Sequence, residues 1–145
     1  MQTGAVGYPL KITQEPDLVV LLYEVGPPRQ IYLDGRQLPR DPNPTWMGYS
    51  IDRWDRDVLV VESAGFNGKM WLDLVGHPTT EALHITERFH RLDLGYLELD
   101  LTIDDAKAYT RPWSVTEMLE LFPDTDLVEF VCNENEKDLK HLVSK

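Results

Sequence analysis

From Leu83 to Asp104 the chain alternates apolar and polar residues at period two through two successive runs, and no other segment limits the fold as tightly. In Leu83-His84-Ile85-Thr86-Glu87-Arg88-Phe89-His90, the residues Leu83, Ile85 and Phe89 share one face, as a half-buried strand requires. Tyr96 to Asp104 repeats the pattern. Asp93-Leu94-Gly95 between the runs suits a three-residue hairpin loop, with Gly95 expected in the left-handed region. That loop sets Leu92 against Tyr96, Phe89 against Leu99, Glu87 against Leu101 and Ile85 against Ile103. The opposite face then pairs His90 with Glu98, Arg88 with Asp100, Thr86 with Thr102 and His84 with Asp104, the partners a solvated sheet face prefers. A one-residue slip would reverse every side chain, so the pattern itself selects the register.

Glu87 breaks the apolar stripe. It lies between Ile85 and Phe89 on the core-facing side, where a carboxylate loses hydration worth several kcal/mol unless a partner replaces it. Nothing within its own hairpin does so. Such a residue is either paired across the fold or functional.

The other segments read as strands joined by turns. Tyr8 to Thr13 is a short lead-in, interrupted by Glu15-Pro16-Asp17. Leu18 to Val25 is the most continuous apolar run and is expected to be buried on both faces. Gly26-Pro27-Pro28 ends it, and Arg29 to Leu33 returns as its hairpin partner before an Asp34-Gly35 turn. Leu38 to Pro44 is rich in proline and must be irregular. Gly48 to Trp54 and Asp57 to Phe66 form another hairpin around Asp55-Arg56, with Trp54 facing Asp57, Arg53 facing Val58, Ile51 facing Val60 and Tyr49 facing Glu62. Asn67 to Thr80 is a loop dense in unusual residues. Trp113 to Leu121 and Leu127 to Cys132 complete a last hairpin, and Asn133 or Asn135 caps a short terminal helix carrying a Glu136–Lys140 pair.

About eight hairpin-linked strands predict an all-β, antiparallel up-and-down meander closing into a barrel, with a β-sandwich as the alternative. At 145 residues, one domain spanning residues 1–145 is expected. A net charge of −11 argues against a nucleic-acid backbone or an anionic membrane surface as partner. The single cysteine, Cys132, excludes an intrachain disulfide and a cysteine-rich zinc site. No apolar run is long enough for a spanning helix, so no membrane insertion is expected, and the first residues do not read as a signal peptide. No motif calls for a cofactor: there is no phosphate loop, no Gly-x-Ser-x-Gly elbow and no diagnostic metal spacing. The oligomeric state is open.

Two constellations would carry chemistry. Glu62, Glu87 and Glu129 each sit among apolar residues of their strands, and two carboxylates converging inside a barrel would share a proton as an acid–base pair. Tyr49 and Arg53, on the same face as Glu62, would orient a substrate or neutralise the charge. The second constellation is Trp71-Leu72-Asp73-Leu74-Val75-Gly76-His77-Pro78, where His77 lies in irregular backbone, Asp73 is placed to orient its imidazole, and Trp46 or Trp71 would form a pocket wall. Three readings follow: a small-ligand-binding barrel lined by Tyr49, Arg53, Glu62, Glu87, Trp46, Trp71 and Glu129; an acid–base enzyme using Glu87 and His77; or an interaction module.

Three stretches also carry a family resemblance: Asp34-Gly35-Arg36 with Asp41 to Ser50, then Thr80 to Phe89, then Thr110-Arg111-Pro112-Trp113 with Cys132-Asn133-Glu134-Asn135. Together they resemble an uncharacterised family of bacterial proteins whose members mostly begin with a secretion signal, and the resemblance covers the chain from about Tyr8 onward. It implies an exported (periplasmic or secreted) protein and carries no known activity. The family pattern often has Glu-Gly where this chain has Asp55-Arg56. The strand pattern is similar to lipocalin-like barrels, a likeness of fold alone.

Overall fold

The computed structural model describes residues 9–128. They form one eight-stranded sheet in sequence order: β1 (Leu10–Glu15), β2 (Leu18–Tyr23), β3 (Arg29–Tyr32), β4 (Tyr49–Asp55), β5 (Val58–Ala64), β6 (His84–Arg91), β7 (Tyr96–Asp104) and β8 (Trp113–Glu120). The expected second strand of the last hairpin, Cys132 and the terminal helix fall wholly or largely outside the described residues. A single sheet replaces the sandwich alternative, and the order runs from β1 to β8 without pairing those two edges, so the described sheet is strongly curled rather than closed.

The β6–β7 register is the one the alternation predicts, with Glu87 opposite Leu101, Arg88 opposite Asp100 and Phe89 opposite Leu99. Its loop is held differently. Gly95 is not in the left-handed region; instead one Asp93 carboxylate oxygen accepts the Gly95 and Tyr96 backbone N–H groups at 2.7 and 3.0 Å. A side-chain acceptor thus does what a glycine conformation was expected to do. In the β4–β5 hairpin the turn is Arg56-Asp57, one residue later than predicted, with Arg56 at φ 59°. Arg53 therefore opposes Val60, and Tyr49 opposes Ala64 rather than Glu62.

Two further expectations are corrected. Strand β2 is not buried on both faces: Val19 and Leu21 are in the core on the concave side, while Leu22 on the other side is 36% exposed. The meander is also not antiparallel throughout, since β3 and β4 run parallel. A parallel neighbour needs a connection of about a dozen residues or more, and the proline-rich segment between Tyr32 and Tyr49 supplies it. That seam is short, with Ile31 opposite Ser50 and Tyr32 opposite Ile51 as its only paired residues.

Curling brings distant strands together. In a flat sheet β2 and β7 would lie roughly 24 Å apart at about 4.8 Å per strand, yet Val19 and Leu21 of β2 share one core cluster with Leu99 and Leu101 of β7. A second cluster, built on Phe66, Leu72, Leu83, Ile85 and Ile103, packs the loop after β5 against one end of the sheet. The concave face is thereby filled with side chains.

Asp105 fixes the chain leaving β7. It is 1% exposed, and its carboxylate accepts the Thr80 N–H and Thr80 hydroxyl, each at 2.7 Å, together with the Lys107 and Ala108 N–H groups. Burial alone would raise its pKa, but the Thr80 and backbone donors outweigh it and hold the carboxyl below the usual range. A depressed folded-state value stabilises the protein above the unfolded pKa near 3.9 and ceases to do so as pH falls through the folded value. Asp105→Asn is therefore expected to cost about 1–3 kcal/mol at pH 7. The gap from wild type should narrow below about pH 4, as measured by urea unfolding across pH.

Candidate functional site

Glu87 finds its partner three strands away. Arg29, the first residue of β3, is 2% exposed and Glu87 is 1% exposed. The two form a forked ion pair: Nη1 of Arg29 donates to Oε1 of Glu87 at 2.8 Å, and Nη2 donates to Oε2. Two further guanidinium donors are also used. Nε donates to Ser50 Oγ at 2.9 Å and Nη2 to Ser63 Oγ at 2.7 Å, while the two serine hydroxyls are 2.8 Å apart. Burial would lower the Arg29 pKa, but the adjacent Glu87 carboxylate overcomes this and raises it, so the guanidinium stays charged. Tyr23 borders the pair. Its phenol is pushed upward by burial first, opposed by Arg29 and reinforced by Glu87.

Of the sequence-predicted carboxylates, Glu62 and Glu87 do not converge. On β5, Val61 opposes Glu87 while Glu62 opposes Thr86, so Glu62 projects from the other, convex face. Arg53 joins it there, with Nε 3.6 Å from Glu62 Oε1, and Tyr49 shares that face with its hydroxyl donating to the Asn43 carbonyl at 3.0 Å. Between Arg53 and Arg88 on the neighbouring strands, Val60 is fully sealed, a use of long charged side chains as cover. Glu129 lies outside the described residues. An acid–base pair of Glu62 with Glu87 is thus replaced by two separate ion pairs on opposite faces.

The loop after β5 is built as its residues suggest. Trp71 and Pro78 bridge, the Leu72 N–H donates to the His77 carbonyl at 2.8 Å, and Leu72 anchors the loop in the core. One Asp73 oxygen gathers the N–H groups of Val75, Gly76 and His77, and the other lies 2.5 Å from His77 Nδ1. The His77 hydrogen bond, supported by these backbone donors, outweighs partial burial and holds Asp73 below the usual carboxylate range. Asp73 is therefore ionised at neutral pH, and Nδ1 of His77 is the donor. The imidazole lies against Trp113 at a centroid distance of 5.7 Å, and Trp113 Nε1 is buried without a hydrogen-bond partner among the described residues. His77 and Glu87 share no partner among the described residues. No trio of His, Cys, Asp or Glu side chains placed to hold a metal occurs among them either.

Trp46 and Trp71 do come together. They line a cleft of about 290 Å³ at one end of the sheet, together with Tyr23, Val25, Gly26, Pro27, Met47, Lys69 and Met70. Both indoles stand largely open, 54% exposed for Trp46 and 66% for Trp71. Gly76, at φ 96°, lets the Trp71 ring lie against the loop backbone, since a Cβ there would come within 2.5 Å of Cζ3. Tyr23 connects this cleft to the buried ion pair.

Sequence reasoning missed Arg29. It occupies the same face as Ile31, so it too is a charge in an apolar stripe, the counterpart of Glu87. The signal was obscured because Arg29 follows Pro27-Pro28 and opens its strand. In comparisons with protein-family models, curated proteins and solved structures, none matches this chain.

Removing one member of a buried pair strands the other charge, at a cost of about 3–5 kcal/mol. Glu87→Gln is expected to lose stability on that scale. Glu62→Gln, breaking a half-exposed contact, should lose less than about 1 kcal/mol. Urea unfolding of both variants, followed by tryptophan fluorescence, checks the contrast.

Proposed function

We propose that this protein binds a small, largely apolar molecule in the cleft between Trp46 and Trp71. One observation carries the reading: two indoles that would ordinarily contribute buried area instead stand open on the same concavity, flanked by Tyr23, Pro27 and two methionines. Burying apolar surface releases about 25 cal/mol per Å², and a ligand sandwiched at this cleft would cover both rings. Methionines suit such a site because their unbranched thioethers repack around different shapes. A volume near 290 Å³ is at the small end for ligand sites, which favours a compact molecule over a long lipid chain.

The site is at the end of the sheet, unlike the central cavity of a lipocalin-type barrel, because the core fills the concave face. Glu87 has little support as an acid–base group, since both its oxygens are held by Arg29. A second reading, contact with a protein partner, rests on Leu74 and Val75, which are 71% and 85% exposed in the same loop as Trp71.

Screening a fragment library by saturation-transfer NMR tests the first reading. Planar apolar fragments are expected to bind wild type and to lose at least about tenfold in affinity in Trp71→Ala, a change of about 1.4 kcal/mol. Trp54→Ala, which removes an indole 58% exposed but outside the cleft, should bind as wild type. Equal loss in both variants, or no hits, would contradict the reading.

A further inference from the structure

The charge at the cleft differs in sign from the charge of the whole molecule. The chain carries 25 acidic residues against 14 lysines and arginines. Yet among the described residues Lys69 is the sole charged one lining the cleft, and no Asp or Glu does. The other lysines with described side-chain partners are committed: Lys11 to Asp126 and Lys107 to Glu81, at 2.5 and 2.6 Å. Among the described residues, the hydrogen bond of Lys69 is a backbone one, its N–H donating to the Asn67 side chain at 3.0 Å. Lys69 lines the cleft beside the two indoles, and no ion pair of its side chain occurs among the described residues.

We infer that the ligand is a planar, apolar-bodied anion, such as an aromatic carboxylate, whose charge is met by Lys69 while its rings lie between Trp46 and Trp71. This rests on the cleft being a ligand site and adds the chemical class. Two indoles alone would equally suit a cation through their ring faces. Lys69 decides against that, because a second cation in the same small cleft meets a like charge at close range. The net negative charge of the protein does not reverse the preference: it is spread over the surface and screened beyond about 8 Å at physiological salt, whereas Lys69 is adjacent. A flexible ammonium also suits a single-point carboxylate contact rather than a forked one.

Isothermal titration with three probes of one shape tests this: 2-naphthoate, 2-naphthalenemethanol and a trimethylammonium-substituted naphthalene, each with wild type and Lys69→Gln. Wild type is expected to prefer the carboxylate over the alcohol by about five- to tenfold and to bind the cation weakest. Lys69→Gln should lose that preference, binding the carboxylate and the alcohol with about equal affinity. Charge-blind binding, or tightest binding of the cation, would overturn the inference and leave the cleft as a ligand site. If none of the three probes bound, both the inference and the reading beneath it would fall.

Discussion

The shortest ladder in the sheet is crossed by a buried side-chain network centred on one ion pair. Between β3 and β4 only Ile31–Ser50 and Tyr32–Ile51 are paired, so backbone hydrogen bonds do little to hold β1–β3 against β4–β8. Arg29 stands on the β3 side of that seam and bonds to Ser50 on β4, Ser63 on β5 and Glu87 on β6. A flat sheet would separate β3 from β6 by roughly 14 Å at about 4.8 Å per strand. The forked contact therefore requires the curl, and the curl gives the pair its burial. Replacing such a pair by apolar residues is often neutral, whereas removing one partner alone is costly.

The cleft follows from the same constraint. With the concave face filled by the core and the ion pair, open space is left at the end of the sheet, where the loop following β3 and the loop following β5 project Trp46 and Trp71. Tyr23 belongs to both regions, lining the cleft while its phenol responds to Arg29 and Glu87. Glu87 thereby shapes the candidate site from behind. The Asp73–His77 contact, the Trp71–Pro78 bridge and buried Leu72 hold the second loop, so the cleft's aromatic wall stands on a fixed support.

Local pattern was the legible part. The β6–β7 register, the burial of Glu87 and the Asp73–His77 contact all depend on residues near in sequence, where alternation and spacing act directly. The β4–β5 register missed by one turn residue because Arg56, at φ 59°, carries none of the usual glycine or asparagine signal. The parallel seam was not legible, since a proline-rich connection constrains where strands cannot be rather than how they re-enter the sheet. Placing Glu62 with Glu87 failed for a related reason. Each strand's apolar face was read alone, and β5 has apolar residues on both faces, Val60 being sealed on the convex side and Val61 on the concave. Trp46 and Trp71 were named as pocket walls, but their meeting with Tyr23 depends on the curl.

The most direct test of the account is a double-mutant cycle on the seam: Arg29→Met, Glu87→Leu and the combination, compared by urea unfolding. Each single variant leaves a buried charge alone and is predicted to lose about 3–5 kcal/mol, while the double variant recovers most of that loss. If the two losses instead added, the charges would be acting independently, and the claim that one ion pair spans the parallel seam would be contradicted.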